Sequence, residues 1–315
     1  MLKQPVAVEF PGQGSQKTGM SDHLLELDPK LYSLWMEKSS AILGWDVGKM
    51  CSRGDASDLR RTSITQPTIF IVNLITWQLL HQAGLRPSLV AGHSLGEYSA
   101  LVAAGVLNFE DALSLVAERG RLMEMEAPRN AGMVAVIGVG VEEVNDLCGR
   151  LRARGDYVDV ANENGRDQVV VSGYADGLVK LKEKLADFGA RCIDLNVSGP
   201  FHSSLMGQAK NEFTRIVDDT NFCDPKIPLI SNVTGVSVGS AKHIKELITR
   251  QMVERVRWRE SLCEMRRLNI KTHIECGPGR VLTSLTRREL GASVDVLSTD
   301  SNVSILKVLR CIREA

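Results

Sequence analysis

The sequence lacks an excess of charge of either sign. Its 315 residues include 38 Lys and Arg and 38 Asp and Glu, so the positive and negative charges balance. Nucleic acids and anionic membranes attract chains with a basic excess, so this balance argues against a general binder of either kind. We therefore predict that neither nucleic acid nor a membrane surface is a partner of this chain.

The sequence also lacks a long apolar run and a secretion signal. Its most apolar stretch, residues 68–80, is interrupted by Asn73, Thr76 and Gln78. This stretch is also shorter than the roughly 20 residues that a membrane span needs. The first ten residues, MLKQPVAVEF, contain neither an apolar h-region nor a cleavage site. We therefore expect a soluble, cytoplasmic protein.

The seven cysteines form no pattern that is typical of a metal site. They stand at positions 51, 148, 192, 223, 263, 276 and 311, without a CxxC pair and without a Cys/His cluster. Zinc sites need closely spaced ligands of these types, so we predict that no metal is bound. An odd number of cysteines without a secretion signal favours reduced thiols in a cytosol.

Segments of strand length alternate with segments of helical length, which indicates an α/β fold. Short apolar runs at 6–10 and 89–91 predict buried strands, and residues 97–104 predict a helix. The apolar stretch 68–83 also predicts a helix. Pro67 should then lie near its first turn, where a missing N–H is tolerated.

The middle of the chain has a different order of elements. Between residues 133 and 196 we predict strand, helix, strand, strand, helix, strand, which is the βαββαβ order of a ferredoxin-like unit. The two terminal strands of that unit are neighbours, so the chain should leave it close to where it enters. We therefore predict a main α/β domain formed by residues 1–129 and 198–315, with a small ferredoxin-like domain inserted at 130–197.

One short motif points to nucleophilic chemistry. Residues 92–96, GHSLG, match the pattern G-x-S-x-G and lie between a predicted strand and a predicted helix. The glycines permit a sharp turn that exposes the serine oxygen, and the helix N-terminus offers N–H groups to a developing oxyanion. We predict that Ser94 is a nucleophile in an α/β-hydrolase-like main domain with a parallel sheet. The alternative is a tight turn without chemistry.

A serine nucleophile needs a base, and most of the six histidines are poor candidates. His93 is adjacent to Ser94, and neighbouring side chains at a turn diverge. Three further histidines lie on polar-flanked helical segments and are expected to be solvated: His23, His81 and His243.

Two histidines remain as candidate bases. His273 lies in a predicted strand and could equally be a core residue. His202 lies in a loop rich in Gly and Pro, just after the inserted domain, and loops of this kind often carry catalytic groups. From the chain alone, His202 could equally be an ordinary surface residue.

Five motifs in order resemble those of a known family. They are PGQGSQ at 11–16, GHSLGEY at 92–98, ERG at 118–120, GPFHS at 199–203 and GPG at 277–279. From about residue 10 to residue 285, the chain resembles the malonyl-CoA:acyl carrier protein transacylases and the acyltransferase domains of polyketide and fatty acid synthases. The resemblance implies an enzyme that moves malonyl from malonyl-CoA to the phosphopantetheine thiol of an acyl carrier protein.

The resemblance also implies roles for individual residues. Ser94 would carry the acyl group, and His202 would act first as general base and then as general acid. The backbone carbonyl of Gln251 would accept the Nδ1–H of His202 and so keep the tautomer that faces Ser94. The backbone N–H groups of Gln13 and Leu95 would form the oxyanion hole.

Three positions concern the acyl group. A lone arginine on a helix is usually solvated, but the arginine of the family's ERG motif, here Arg119, grips the free carboxylate of malonyl. A guanidinium offers two parallel donors that match a carboxylate. Leu95 and Phe201 resemble the residues of malonyl-type members, and Phe201 would fill the space that an α-methyl needs. One methyl is worth only about 1–3 kcal/mol, so this implies a preference for malonyl over methylmalonyl.

Further positions match the cleft of relatives: Gln66, Asn162 and Asn232. Gln66 could equally cap the helix that follows it, and Gln251 could be an ordinary helix-end residue. The sequence departs from the family at residues 162–167, NENGRD, where relatives often have a loop with proline. The charge of this segment alters the rim that a carrier or pantetheine would contact.

The resemblance therefore implies a ping-pong reaction without a metal or redox cofactor. We expect a free-standing monomer that serves fatty acid or polyketide biosynthesis. The first alternative is a hydrolase that clears stalled acyl groups from carriers, against which Arg119 argues. The second is a carrier-binding subunit without catalysis, against which Ser94 and His202 argue.

Overall fold

The computed structural model describes residues 1–314, which form two β-sheets with helices packed against them. The strands are β1 (Val6–Phe10), β2 (Leu89–Gly92), β3 (Ala131–Ile137), β4 (Val158–Gly165), β5 (Gln168–Tyr174), β6 (Arg191–Asp194), β7 (Leu229–Ile230), β8 (Ser237–Val238), β9 (Thr272–Glu275) and β10 (Asp295–Ser298). The α-helices are α1 (Asp22–Leu27), α2 (Pro29–Leu43), α3 (Val47–Arg53), α4 (Thr62–Gln82), α5 (Gly96–Ala103), α6 (Phe109–Met125), α7 (Val141–Arg152), α8 (Ala175–Ala186), α9 (Gly207–Asp219), α10 (Ala241–Arg250), α11 (Trp258–Arg267), α12 (Val281–Leu290) and α13 (Asn302–Arg313).

The larger sheet has the strand order β10-β9-β1-β2-β7-β8. The first five strands are parallel, and β8 runs antiparallel to β7. Every residue of β1 and of β2 is buried, as expected for central parallel strands that helices cover on both faces. The predicted α/β fold with a parallel sheet is therefore confirmed, and the carboxyl ends of β1 and β2 meet at one edge.

The smaller sheet contains the strands of the middle segment in the order β4-β5-β3-β6, and all its neighbours are antiparallel. Between Ala131 and Asp194 the elements follow the predicted order βαββαβ. Val134 pairs with Asp194, so the chain enters and leaves this sheet on adjacent strands. The sheet and its helices α7 and α8 enclose a core of their own. The domain boundaries at 129/130 and 197/198 stay a prediction.

The buried helix α4 begins six residues earlier than the sequence predicted. It starts at Thr62, so Pro67 lies within its second turn, not at its first turn. A proline there removes the N–H that would bond to the carbonyl of Ser63. The side-chain hydroxyls of Thr65 and Thr68 form bonds of 2.9 Å to the carbonyls of Arg61 and Ile64. Burial of this turn against the rest of the core outweighs the lost backbone bond.

The segment 162–167 is not the rim loop that the sequence predicted. Residues up to Gly165 continue β4, and Asn162 and Glu163 are buried. The pairing of β4 with β5 has two irregularities. Beyond the first of them, the backbone of Val256 pairs in parallel with Asn162. The Glu163 N–H donates to the Val256 carbonyl, and the Val256 N–H donates to the Ala161 carbonyl, each at 2.8 Å. These bonds join the smaller sheet to the chain that follows α10.

One histidine that was expected to be solvated is buried. The Nε2 atom of His23 lies 3.0 Å from the carbonyl oxygen of Thr299. Desolvation lowers the pKa of His23, although this bond opposes the shift. His243 is exposed, as predicted. Within residues 1–314, no helix combines the length and the apolar character that crossing a membrane requires.

Candidate active site

The nucleophile elbow forms where β2 runs into α5. Ser94 stands between them with φ of +52°, in the left-handed region. A Cβ atom at Gly92 would overlap the backbone of Gly96, and a Cβ atom at Gly96 would overlap the carbonyl oxygen of Phe10. Only glycine fits at these two positions, because the turn presses the start of α5 against β1. The motif therefore folds as predicted and places Ser94 at the carboxyl ends of the parallel strands.

This close approach makes the elbow sensitive to a single methyl group. We expect Gly96→Ala to lower the free energy of unfolding by about 3 kcal/mol or more, because a β1 carbonyl blocks the added Cβ. Gly149→Ala on α7 is the matched control, since its Cβ would meet nothing within 4 Å. The control should gain about 0.5–1 kcal/mol through helix propensity. Urea denaturation measures both, and equal stability of the two variants would contradict this account.

His202 approaches Ser94 from the loop that follows the smaller sheet. Its Nε2 atom lies 2.7 Å from Ser94 Oγ, and its Nδ1 atom lies 2.7 Å from the carbonyl oxygen of Gln251. A carbonyl oxygen can only accept, so Nδ1 carries the hydrogen and Nε2 is free to accept the Ser94 hydroxyl. Burial, together with the nearby charge of Arg119, lowers the pKa of His202 to about 3. The imidazole is therefore neutral, with its Nε2 lone pair directed at the Ser94 hydroxyl.

Arg119 extends from α6 to the same serine and is only 1% exposed. Its Nη1 donates to Gln66 Oε1 at 2.8 Å, and its Nη2 donates to Gln251 Oε1 at 3.0 Å and to Ser94 Oγ at 3.2 Å. The guanidinium also lies over the Tyr98 ring, 5.4 Å from its centroid. No acidic side chain in residues 1–314 forms an ion pair with it, and its Nε has no partner there. A buried cation without a direct ion pair is costly, and a bound anion would offset that cost.

Two residues that line the same cavity as Ser94 have backbone N–H groups that are free in the described part of the chain. Gln13 follows β1 and Leu95 follows Ser94, and neither N–H forms a hydrogen bond within residues 1–314. Gly12 allows the two loops to meet, because a Cβ atom there would overlap the carbonyl oxygen of His93. The Gln13 side chain donates to Thr62 Oγ1 at 3.3 Å and so ties this loop to α4. Two free donors beside a nucleophile are the arrangement that an oxyanion hole requires.

A cavity of about 80 Å³ opens beside Ser94. Among the residues predicted from the sequence, those that line it are Gln13, Gln66, Ser94, Leu95, Arg119, Asn162, Phe201 and His202. Its apolar wall adds Met123, Met133, Leu195 and Val197. Gln66 lies inside α4 and bonds to Arg119, so it does not cap that helix.

Asn232 and Gln251 lie behind the cavity. Asn232 is fully buried: its Oδ1 accepts the Ser94 N–H at 2.6 Å, and its Nδ2 donates to the Gly92 carbonyl at 2.6 Å. It therefore holds the elbow from behind and does not line the cleft, where the sequence placed it. Gln251 is the residue after α10, and its buried side chain bonds to Arg119 and to the elbow.

Comparison with known proteins identifies this arrangement. The pattern of the acyl transferase domain family matches residues 9–304, nearly the whole chain. The chain belongs to the acyl transferase domain family. This acyltransferase is 36% identical over 285 residues to the malonyl CoA-acyl carrier protein transacylase of Bacillus subtilis (strain 168), covering 90% of each chain. It is 37% identical over 287 residues to the polyketide biosynthesis malonyl CoA-acyl carrier protein transacylase of the same organism, covering 89% of this chain and 95% of that one.

Solved structures agree with the sequence comparison. The acyltransferase superposes on FabD from Acinetobacter baumannii with a TM-score of 0.93 and 34% identity, covering 98% of each chain. It also superposes on a malonyl-transacylase solved in complex with a type II PKS acyl-carrier protein. That match has a TM-score of 0.94 and 33% identity, and it covers 98% of this chain and 100% of the other.

Sequence reasoning missed two polar residues of the acyltransferase site. Glu97 is 2% exposed, and its Oε2 accepts from Gln251 Nε2 at 2.6 Å. Asn164 Oδ1 lies 2.7 Å from His93 Nε2, and His93 itself lines the cavity. Glu97 stands within the GHSLGEY motif, so its position was visible. A carboxylate in the first turn of a helix is usually explained by its favourable interaction with the helix dipole, so nothing in the sequence indicates that Glu97 is buried against the active site.

Proposed function

We propose that this chain transfers a malonyl group from malonyl-CoA to the phosphopantetheine thiol of an acyl carrier protein, through an acyl ester on Ser94. One observation carries the proposal: His202 Nε2 and the buried, unpaired Arg119 both contact the Ser94 hydroxyl oxygen, at 2.7 and 3.2 Å. A base beside a nucleophile fits acyl transfer, and an unpaired cation fits an acyl group with a free carboxylate. The names of the relatives support the same substrates.

In the first half-reaction, Ser94 Oγ attacks the thioester carbonyl of malonyl-CoA and passes its proton to His202 Nε2. The N–H groups of Gln13 and Leu95 donate to the oxyanion that forms. The Gln251 carbonyl accepts the Nδ1–H and stabilises the imidazolium. The carbon–sulfur bond then breaks, and the sulfur of coenzyme A takes the proton from His202. The malonyl group remains as an ester on Ser94.

The bound carboxylate has a second effect in this proposal. Arg119 lowers the pKa of His202 through its positive charge. When the malonyl carboxylate pairs with Arg119, it cancels much of that charge and raises the basicity of His202. The correct acyl group thus strengthens the base that activates Ser94.

The second half-reaction runs the same steps with another thiol. The pantetheine thiol of the carrier gives its proton to His202 and attacks the ester carbonyl, and the oxyanion again lies against Gln13 and Leu95. The carbon–oxygen bond breaks, and Ser94 takes the proton back. Every proton and electron pair moves between substrates and residues of this chain, so the proposed reaction needs no metal or redox cofactor.

The proposal also covers which acyl group fits the cavity. The cavity holds about 80 Å³ and Phe201, only 5% exposed, forms part of its wall next to His202. An α-methyl group would have to displace this ring. We infer a preference for malonyl over methylmalonyl, of the size of one methyl group, about 1–3 kcal/mol.

The two alternative functions receive less support. A hydrolase that clears acyl groups from carriers has no use for a buried cation beside its nucleophile, and Arg119 is such a cation. A docking subunit without catalysis has no use for the bonds that join Ser94, His202 and Gln251.

Intact mass spectrometry after mixing with malonyl-CoA tests the proposed function. The wild-type protein should gain one malonyl group, and Ser94→Ala should gain none, because no oxygen remains to carry the ester. Acetyl-CoA should give little or no adduct, since it leaves Arg119 unpaired. Ser114→Ala, an exposed serine on α6, is the control and should acylate like wild type. An adduct on Ser94→Ala would contradict the proposal, and free malonate without an adduct would favour the hydrolase.

A further inference from the structure

A buried carboxylate lies behind the elbow and takes no part in the steps proposed above. Glu97 stands in the first turn of α5, and its Oε2 accepts from Gln251 Nε2 at 2.6 Å. Both of its oxygens also lie 3.3 Å from the backbone N–H of Asn232. Glu97 therefore bonds to the two residues that hold Ser94 and His202 in place.

The carboxylate makes the shortest of the bonds that set which way the Gln251 side chain points. A carboxylate only accepts hydrogen bonds, so the amide must turn its Nε2 towards Glu97. The same Nε2 donates to the Ser94 carbonyl at 2.9 Å. This leaves Oε1 facing Arg119 Nη2 at 3.0 Å, and a guanidinium can only donate. Each end of the amide thus meets partners of the right kind only in this orientation.

Gln251 links this orientation to the base. Its backbone carbonyl accepts the His202 Nδ1–H at 2.7 Å, and its side chain is anchored at both ends as described. We propose that Glu97 is a positioning residue: by fixing the Gln251 amide, it holds the Gln251 carbonyl on His202 and the Gln251 amide oxygen on Arg119. The inference rests on the proposed function, because it concerns the alignment of that same base and that same cation.

The charge state of Glu97 gives the proposal a measurable signature. Burial raises the pKa of Glu97 to about 7, although its hydrogen bonds and the Arg119 charge oppose this shift. The ionisable groups that face it are Arg119 on α6 and Tyr98 on its own helix, while Ser231, Asn232 and Gln251 face it as neutral groups. The bond to Gln251 is stronger when Glu97 is ionised, because the charge strengthens it and both oxygens can only accept, so acyl transfer should rise as pH increases through about 7. The pKa of His202 in the protein without substrate is about 3, and the loss of the rise in Glu97→Gln separates the two groups when malonyl is bound.

Glu97→Gln keeps the shape of the side chain and removes its charge. We expect kcat for malonyl transfer to fall about tenfold to a hundredfold, the range for one charge-assisted hydrogen bond. The rise in activity near pH 7 should disappear with it, because the titrating group is gone. The measurement is kcat against pH, with the melting temperature of each variant as a check on folding.

Glu275→Gln is the matched control. Glu275 is also buried with a pKa raised to about 7, but its oxygens accept from the Leu282 and Thr283 N–H groups at the start of α12. This variant should keep the wild-type kcat and the wild-type rise near pH 7, even where it melts at a lower temperature.

A second variant tests the path through Gln251 and does not depend on the folding of Glu97→Gln. Gln251→Met keeps the backbone carbonyl and removes the amide that lowers the pKa of Glu97. Without the amide, the charge of Glu97 has no path to His202, so the rise in activity near pH 7 should disappear as it does in Glu97→Gln. In the double variant, the loss of kcat should be no larger than in the more impaired single variant, since both changes break one linkage.

Three results would overturn the proposal: wild-type kcat and pH profile in Glu97→Gln, equal losses in Glu97→Gln and Glu275→Gln, or a rise near pH 7 that persists in Gln251→Met. If the wild-type protein transfers malonyl through Ser94, each of these results overturns only the positioning role of Glu97 and leaves the proposed function intact. An absence of transfer by the wild-type protein would overturn both.

Discussion

Replacing His202 with alanine should lower kcat/KM for malonyl transfer by about 10⁴-fold to 10⁶-fold, the range for loss of the base in serine enzymes. The Ser94 hydroxyl would keep its bond from Arg119 but would have no acceptor for its proton. The donors at Gln13 and Leu95 would remain, so a small residual rate over water is expected. Stopped-flow measurement of ester formation on Ser94 is the most direct assay, because it isolates the first half-reaction.

A matched control for this variant is His23→Asn. His23 is buried like His202 and bonds to a backbone carbonyl at 3.0 Å, but it lies outside the cavity. It should lose stability and keep kcat/KM within about twofold of wild type, as expected for a change that touches no reacting group. A fall of less than tenfold in His202→Ala would show that another group acts as the base.

The second large effect concerns the acyl group. Arg119→Met should lower kcat/KM for malonyl-CoA by about a hundredfold to a thousandfold, as expected when one partner of a buried charge pair is removed. Transfer of acetyl should not fall in parallel, because acetyl has no carboxylate to pair. The ratio of the two kcat/KM values is therefore the quantity to measure, since it is independent of the amount of folded enzyme.

Arg121→Met provides the comparison on the same helix. Arg121 is exposed and pairs with Glu118 at the surface, so the same substitution there should leave the ratio unchanged. A parallel loss of malonyl and acetyl transfer in Arg119→Met would contradict the carboxylate clamp. It would indicate that Arg119 acts only by supporting Ser94 and Gln251.

The elbow could be predicted because its chemistry is local. The order strand, GHSLG, helix is legible in the sequence, and both glycines are required by close approaches that any such turn makes. His202 was harder, since only the fold brings it from 108 positions away to Ser94. The resemblance to a family supplied that pairing, and the structure supplies its distance.

Other features could not be read because they depend on burial. Pro67 suggests the start of a helix, yet in the structure this proline lies inside α4, which begins at Thr62. The charges in residues 162–167 suggest a loop, but Glu163 is buried in β4, 3.5 Å from Arg259. Polar flanks suggest a solvated His23, which is buried. In each case a distant partner decides the environment, and a single sequence does not show partners.

The helices α1 to α3, the last strand β10 and the last helix α13 were also outside the sequence prediction. β10 is a four-residue strand that begins with Asp295 and ends with Ser298. Its parallel pairing with β9, which the sequence does not show, is what makes it a strand. Short elements of this kind carry too few residues for a periodic pattern to emerge. The elements around the elbow were predicted nearly to the residue: β1 at 6–10, β2 at 89–91 and α5 at 97–104.

The left-handed backbone of Ser94 and of His202, with φ of +52° and +56°, bears on how this enzyme can be engineered. Such a backbone costs a residue with a side chain about 1–2 kcal/mol, and glycine is free of that cost. Selection for thermal stability alone would therefore favour glycine at positions 94 and 202, the two positions that the proposed reaction needs most. A screen for durable variants of this acyltransferase should score turnover in the same step, or it will enrich robust proteins that no longer work.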